Sequence, residues 1–233
     1  MGTVLGHLKP ELVWYHFEEI CKYPRPSKKE EKIAEYVVSV GKRLGLQVEK
    51  DKFGNILIRK PATQGFENRK TVALQGHIDM VCEKNRDVEH DFDNDPIYPY
   101  IDGDWVKAKG TTLGADNGIG VAAALAVLED KNVQHGPIEC LFTLDEETGL
   151  TGASSLKKGW MKADILINMD SEDLGTLFIG CSGGKNTAAK FKIKPEKAPR
   201  NYSTFELKVA GLKGGHSGLE IHVGRGNAVK ILN

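Results

Sequence analysis

The chain lacks an excess of either charge: Lys+Arg and Asp+Glu both number 32 in 233 residues. A general nucleic-acid or membrane-surface binder is built on a basic excess, so neither class is expected. Its four cysteines, Cys21, Cys82, Cys140 and Cys181, form no CxxC pair. Zinc ribbons and thioredoxin-type sites therefore lose their support, and a dense disulfide scaffold has none. No apolar stretch approaches the length of a membrane span, and "MGTVLGHLKPELVWY" lacks the basic-then-apolar order of a secretory signal. Gly6 stands where a myristoylation site wants Ser or Thr. Internal repeats, low-complexity segments, HExxH and G-x-S-x-G are also absent. A soluble cytoplasmic protein is the expectation.

Hydrophobic residues make up 40% of the chain, enough for a sizeable core. Residues 10–25 read as a short amphipathic helix. Ser27 and Glu30 then have the spacing of a capping box before "SKKEEKIAEYVVSVGKRLGL", whose apolar residues recur at helical spacing. "NILIRK" and "KTVALQG" read as strands. Residues 83–112 are too punctuated by Pro, Asp and Gly to predict regular structure. "IGVAAALAVLEDK" follows as a buried Ala-rich helix, "IECLFTL" as a strand, "GASSLKKG" as a short helix and "ADILINMD" as a strand. This alternation predicts an α/β domain with a mixed, largely parallel sheet flanked by helices. Around residues 184–204 the texture turns polar and basic, which marks a candidate boundary. A strand, "TFELKVAGL", and the start of a helix, "GNAVKILN", are expected beyond it.

Three predicted strands share one feature. "TVALQG" runs into His77 and Asp79, "IECLFTL" into Asp145, Glu146 and Glu147, and "DILINM" into Asp170; Asp116 stands just before the Ala-rich helix. Open α/β sheets bind ligands outside the carboxyl ends of their strands, so these groups have a common place to meet. Singly, each has a plain structural explanation: a hydrogen-bonded histidine, a helix N-cap, a turn aspartate, a solvated acidic loop. Together, one imidazole among several carboxylates suits a borderline divalent cation, and the number of carboxylates exceeds what one ion needs.

Two other patterns are decoys. Gly118, Gly120 and Ala123 fit G-x-G-x-x-A with Glu139 further on, but "TTLGADN" before them is not an apolar strand. Close packing of a small-residue helix explains those glycines more plainly. "GCSGGKN" is one residue short of a phosphate loop and carries Asn186 in place of Ser or Thr. A thiol nucleophile has no obvious histidine partner.

"GHIDM", "GTTLGADNGIGVAAALA", "LDEETGLTGA", "LINMDSED" and "GGHSG" occur in this order through nearly the whole chain. Together they resemble the dinuclear zinc metallopeptidases of the aminoacylase/carboxypeptidase G family, in wording most like its aminoacyl-histidine dipeptidase (peptidase D, Xaa-His dipeptidase) branch. The resemblance implies a zinc-dependent exopeptidase-like fold with two Zn²⁺ per site, for which Co²⁺ or Mn²⁺ could substitute. In it His77 binds the first metal, with Asp79 fixing the ring. Asp116 bridges both metals across a cis Asp116–Asn117 bond, Asp170 completes the first site, and Glu147 binds the second metal. Glu146 is the general base, and His216 is a lid-domain histidine that donates to the oxyanion, usually across a homodimer interface. Small peptides, Xaa-His dipeptides of the carnosine type among them, are the implied substrates.

The family's further histidine ligand for the second metal has no counterpart among His7, His16, His90, His135 and His222. The chain is therefore expected to hold residues 1–200 as the N-terminal part of a catalytic domain and 201–233 as the start of a lid. On its own it is expected to be inactive. The alternatives are a tripeptidase or N-acyl-amino-acid deacylase of the same family, or a non-catalytic binding or assembly domain that retains the fold.

Overall fold

The computed structural model describes residues 4–171, 173–181, 183, 187–215 and 220–233. Its contacts divide the chain into two units, Met1–Ile179 and Gly180–Asn233.

The first unit begins with α1 (Glu11–Ile20) and α2 (Glu31–Arg43). In α2, Ile33, Ala34, Val37, Val40 and Gly41 recur at helical spacing and are the buried face. Lys42 and Arg43 complement the dipole of its last turn, and Gly45 ends it at φ 69°. The expected capping box does not form. The N-cap position is Glu30, without a side-chain cap, because both polar side chains are used elsewhere: Ser27 Oγ donates to Asp79 Oδ2 at 2.7 Å, and Glu30 Oε1 accepts from the Asp145 N–H at 2.9 Å.

The sheet consists of β1 (Gln47–Lys50), β2 (Ile56–Lys60), β3 (Val72–His77), β6 (Ile138–Thr143) and β7 (Ile165–Asn168), in the order β1-β2-β6-β3-β7. The β1–β2 and β2–β6 ladders are antiparallel, and β6–β3 and β3–β7 are parallel. The mixed sheet of the expectation is thus parallel in its second half. Central β6 is buried along its whole length, and its one charged residue is neutralised. Glu139 Oε1 accepts from Arg59 Nε at 2.8 Å, while Oε2 accepts the N–H groups of Lys162 and Ala163. That pairing removes Glu139 as a nucleotide-binding acid.

A separate hairpin, β4 (Pro99–Asp102) and β5 (Trp105–Ala108), lies where no regular structure was expected. Asp102 pairs with Trp105 across Gly103–Asp104, and Gly103 supplies the positive φ (59°) that such a two-residue turn requires.

Helix α3 (Ala115–Glu129) is apolar nearly all round and buries Val121, Ala122, Ala124, Leu125 and Leu128. Its glycines are packing residues: a Cβ on Gly118 would lie 3.2 Å from Phe17 Cε2, and one on Gly120 would lie 2.9 Å from the Met169 carbonyl oxygen. Short helices α4 (Glu146–Gly149) and α5 (Thr151–Ser154) follow β6. Between α1, α2 and α3, buried His16 bonds Tyr36 Oη through Nδ1 (2.9 Å) and Glu129 Oε2 through Nε2 (3.0 Å), and Glu129 also accepts from Arg43.

Gly41 packs α2 tightly against β1 and β2 of the sheet. A Cβ there would lie 2.6 Å from Val48 Cγ2 and 2.9 Å from Ile58 Cδ1. Gly41→Ala is expected to destabilise the fold by about 1–3 kcal/mol through overpacking, although alanine is the better helix former. Thermal or urea unfolding checks this, and an unchanged midpoint would contradict it.

In the second unit a 3₁₀ turn (Ile221–Val223) precedes α6 (Ala228–Leu232), which Asn227 caps by accepting from the Lys230 N–H at 3.0 Å. The strand expected at 204–212 does not form among the described residues, since no described segment offers it a ladder partner. No helix among the described residues is long and apolar enough to cross a membrane.

Candidate metal centre

Parallel pairing brings the site together. In the β3–β6 register His77 lies opposite Thr143, and in the β3–β7 register Gln75 lies opposite Asn168. All three strands therefore finish at one edge, and the residues just beyond them share it.

His77 is buried at the centre. Its Nδ1 lies 3.1 Å from Asp79 Oδ1, and its Nε2 lies 3.0 Å from Asp116 Oδ1, 3.6 Å from Asp170 Oδ1 and 4.0 Å from Glu146 Oε2. Burial disfavours charge on the ring, yet the carboxylates of Asp116, Asp170 and Asp79 outweigh it and push its pKa up to about 12. Carboxylates that hold a proton so firmly favour any cation at the same place. Two groups of potential ligand atoms gather there, His77 with Asp116 and Asp170, and His77 with Glu146 and Glu147.

Asp79, fully buried, cannot reach outward. Its Oδ1 accepts from His77 and from the Glu146 N–H (3.1 Å), and its Oδ2 accepts from Ser27 and from the Glu147 N–H (3.2 Å). Burial raises its pKa, but the donors from His77, Ser27 and Glu146 prevail and hold it near 2. A carboxylate so saturated orients the imidazole: it takes the proton on Nδ1 and leaves Nε2 to face the cluster.

The three consecutive acids separate into two tasks. Asp145 turns through the left-handed region (φ 49°, ψ 49°). Its side chain accepts from the hydroxyls of Thr148 and Thr151, behind the site. Only Glu146 and Glu147 join the cluster. Burial, reinforced by the neighbouring carboxylates, raises both; Glu147 reaches about 7 through burial and Asp116. Burial would raise Asp170, but the attraction of the His77 ring 3.6 Å away prevails and lowers it. Asp116 lies just ahead of regular helix in α3, with φ −79° and ψ 113°, and the Asp116–Asn117 peptide is cis, as the resemblance implies.

The structure thus brings together His77, Asp79, Asp116, Glu146, Glu147 and Asp170. His216 lies outside the described residues. Neither ligand group includes Cys21, Cys82 or Cys140; burial pushes the first two to about 11 and raises the third. Sequence reading missed Arg25, fully buried, whose guanidinium donates to the carbonyl oxygens of Ile78, Asp79 and Gly114. A lone arginine between two prolines carries no periodic signal. It also missed the separate task of Asp145, for which "DEETGLT" offers only the two threonines as a hint.

The donor set fits a divalent-cation centre: one imidazole shared by two groups of carboxylate oxygens, with the ligand atoms of each group within 4.8 Å of one another. A mixed sheet with such a cluster at the ends of its parallel strands defines an α/β protein with a carboxylate-rich candidate metal site. Residues 73–228 match Peptidase family M20/M25/M40. The chain belongs to that family.

It is 58% identical over 228 residues to the cytosol non-specific dipeptidase of Escherichia coli (strain K12), covering 98% of this chain and 47% of that protein. The crystal structure of aminoacylhistidine dipeptidase from Vibrio alginolyticus superposes with a TM-score of 0.76 at 49% identity, covering 98% of this chain and 46% of that one. Aminopeptidase PepT from Bacillus cereus gives a TM-score of 0.59 at 28% identity, over 70% of this chain and 44% of that one. The chain thus spans about half the length of these two dipeptidases.

Proposed function

We propose that the protein acts in metal-dependent hydrolysis of dipeptides, those with a C-terminal histidine among them. The observation that carries this is the convergence of Asp116, Asp170 and Glu146 within 4.0 Å of one imidazole nitrogen, His77 Nε2. Two zinc ions are the proposed cofactors, with cobalt or manganese as substitutes. His77, Asp116 and Asp170 would hold the first, and Asp116 and Glu147 the second. Bound there, the cations would supply the positive charge that lowers the pKa of water and polarises a peptide carbonyl.

The protein's own groups do the rest. Asp79 keeps the proton on His77 Nδ1 and anchors the backbone N–H of Glu146 and Glu147. Glu146 takes a proton from the attacking water as the water oxygen bonds to the carbonyl carbon. The C–N bond then breaks, and Glu146 passes that proton to the leaving amine. His216, on the resemblance, donates to the developing oxyanion from a partner copy in a homodimer.

Dipeptides are preferred over tripeptides and acyl-amino acids because the 58% identity to a dipeptidase extends over 98% of the chain. Peptidase T of Exiguobacterium sp. matches at 28% over 58% of it. The test is hydrolysis of Xaa-His dipeptides, other dipeptides, tripeptides and N-acyl amino acids by a zinc-loaded chain of the dipeptidases' full length, since these 233 residues alone are expected to be inactive. Chelator-sensitive cleavage confined to dipeptides is expected. Cleavage of tripeptides or acyl-amino acids alone would move the substrate class, and metal binding without any cleavage would favour a binding domain.

A further inference from the structure

The segment from Arg25 to Glu30 precedes the residues matched to the family, yet it touches three of the arms that carry the metal centre. Arg25 Nη1 donates to the carbonyl oxygens of Ile78 (3.3 Å) and Asp79 (3.0 Å), and Nη2 donates to that of Gly114, two residues before Asp116. A buried guanidinium that bonds only main-chain oxygens fixes a distance between two chain segments, here the exit of β3 and the entry to α3. Gly114 is glycine where this matters: it has φ 70°, and a Cβ would fall 2.3 Å from Arg25 Nη2. The Met80 N–H donates to the Arg25 carbonyl at 3.1 Å, and Pro26 forms a parallel bridge to Met80, so the segment runs as a short rail beside the end of β3.

On that rail Ser27 is held against Asp79. Its hydroxyl donates to Oδ2 at 2.7 Å, the shortest of the four hydrogen bonds that Asp79 accepts. The other three come from His77 and from the N–H groups of Glu146 and Glu147, so the orientation of the carboxylate sets both the imidazole and the turn that bears the two glutamates.

We propose that Ser27 is a positioning residue of the metal centre, acting through Asp79 and seated by Arg25. The proposal rests on the metal-centre reading above. Partners one step removed from metal ligands are worth about 10–100-fold in metal affinity, and Ser27 stands one step further out, so the lower end applies.

The test uses the full chain as wild type, Ser27→Ala and Ser27→Thr, with Co²⁺ as probe. Affinity is measured by titration, ligand geometry by the visible absorption of bound Co²⁺, and folding by thermal melting. Ser27→Ala is expected to fold, to bind Co²⁺ about tenfold more weakly and to show an altered cobalt spectrum. Ser27→Thr, which keeps the hydroxyl, should restore both. Wild-type affinity and spectrum in Ser27→Ala would overturn the proposal while leaving the metal centre standing. Weaker binding that tracks a lowered melting point, with no rescue by threonine, would also overturn it. Absence of Co²⁺ binding by the wild type would remove the metal-centre reading and this proposal with it.

Discussion

In a chain of the dipeptidases' full length, Glu146→Gln is expected to lower kcat by roughly 10²- to 10⁴-fold, the range that a positioned general base contributes, while metal content stays at the wild-type level. Glutamine keeps the shape of the side chain and loses only its ability to take and return a proton. The main chain stays in place, because the Glu146 N–H is anchored by Asp79 and not by its own carboxylate. Glu146 Oε2 is also the most distant of the three carboxylates facing His77 Nε2, at 4.0 Å against 3.0 Å for Asp116 and 3.6 Å for Asp170. It is therefore the group most readily spared from metal binding. Steady-state kinetics with metal analysis on the same samples decides this. Equal loss of metal and activity would assign Glu146 to the ligands, and unchanged kcat would remove it from the chemistry.

His77→Ala is expected to abolish metal retention through gel filtration and, with it, all chelator-sensitive hydrolysis. Both groups of potential ligand atoms among the described residues include His77, so one substitution strips each of its only nitrogen. It also leaves Asp116, Asp170 and Glu146 facing one another without the positive partner that relieves their repulsion. Glu147→Gln makes the contrast: it should reduce the metal content by about one ion of the proposed two, leaving the first site filled. Metal-to-protein ratios by plasma mass spectrometry read both variants. Full metal content in His77→Ala would remove the imidazole from the centre.

Much of this centre was legible in the sequence because its carriers are apolar strands. Runs such as "TVALQG" and "IECLFTL" are recognisable without knowing their neighbours, and polar residues at their ends stand out against them. The family wording then distributed the tasks. What escaped depends on tertiary contacts. Ser27 and Glu30 match a local cap by spacing, but their oxygens are drawn away to Asp79 and Asp145, 52 and 115 residues distant. β1, "QVEK", is too short and too charged to read as a strand, and it forms because β2 offers an edge to pair with. The β4–β5 hairpin hid among Pro, Asp and Gly that are its own turn chemistry. Arginine is mostly a surface residue; the burial of Arg25 is a consequence of three carbonyl oxygens that only the fold brings around it.

The strand order has a consequence in time. β2 and β3 are consecutive in the chain, yet β6 lies between them, so neither can complete its inner ladder until residues 138–143 have been made. Asp79 and Glu146, joined by a hydrogen bond, are 67 residues apart, roughly 3–13 s of synthesis at ribosomal rates of about 5–20 residues per second. During that interval the hydrophobic edges of β2 and β3 wait unpaired, and closing so long a loop costs entropy before any contact repays it. The imidazole emerges first, the two glutamates much later and Asp170 last. An ion captured early by His77 would meet an incomplete set of ligands, so the nascent sheet, not the ion, must nucleate the fold.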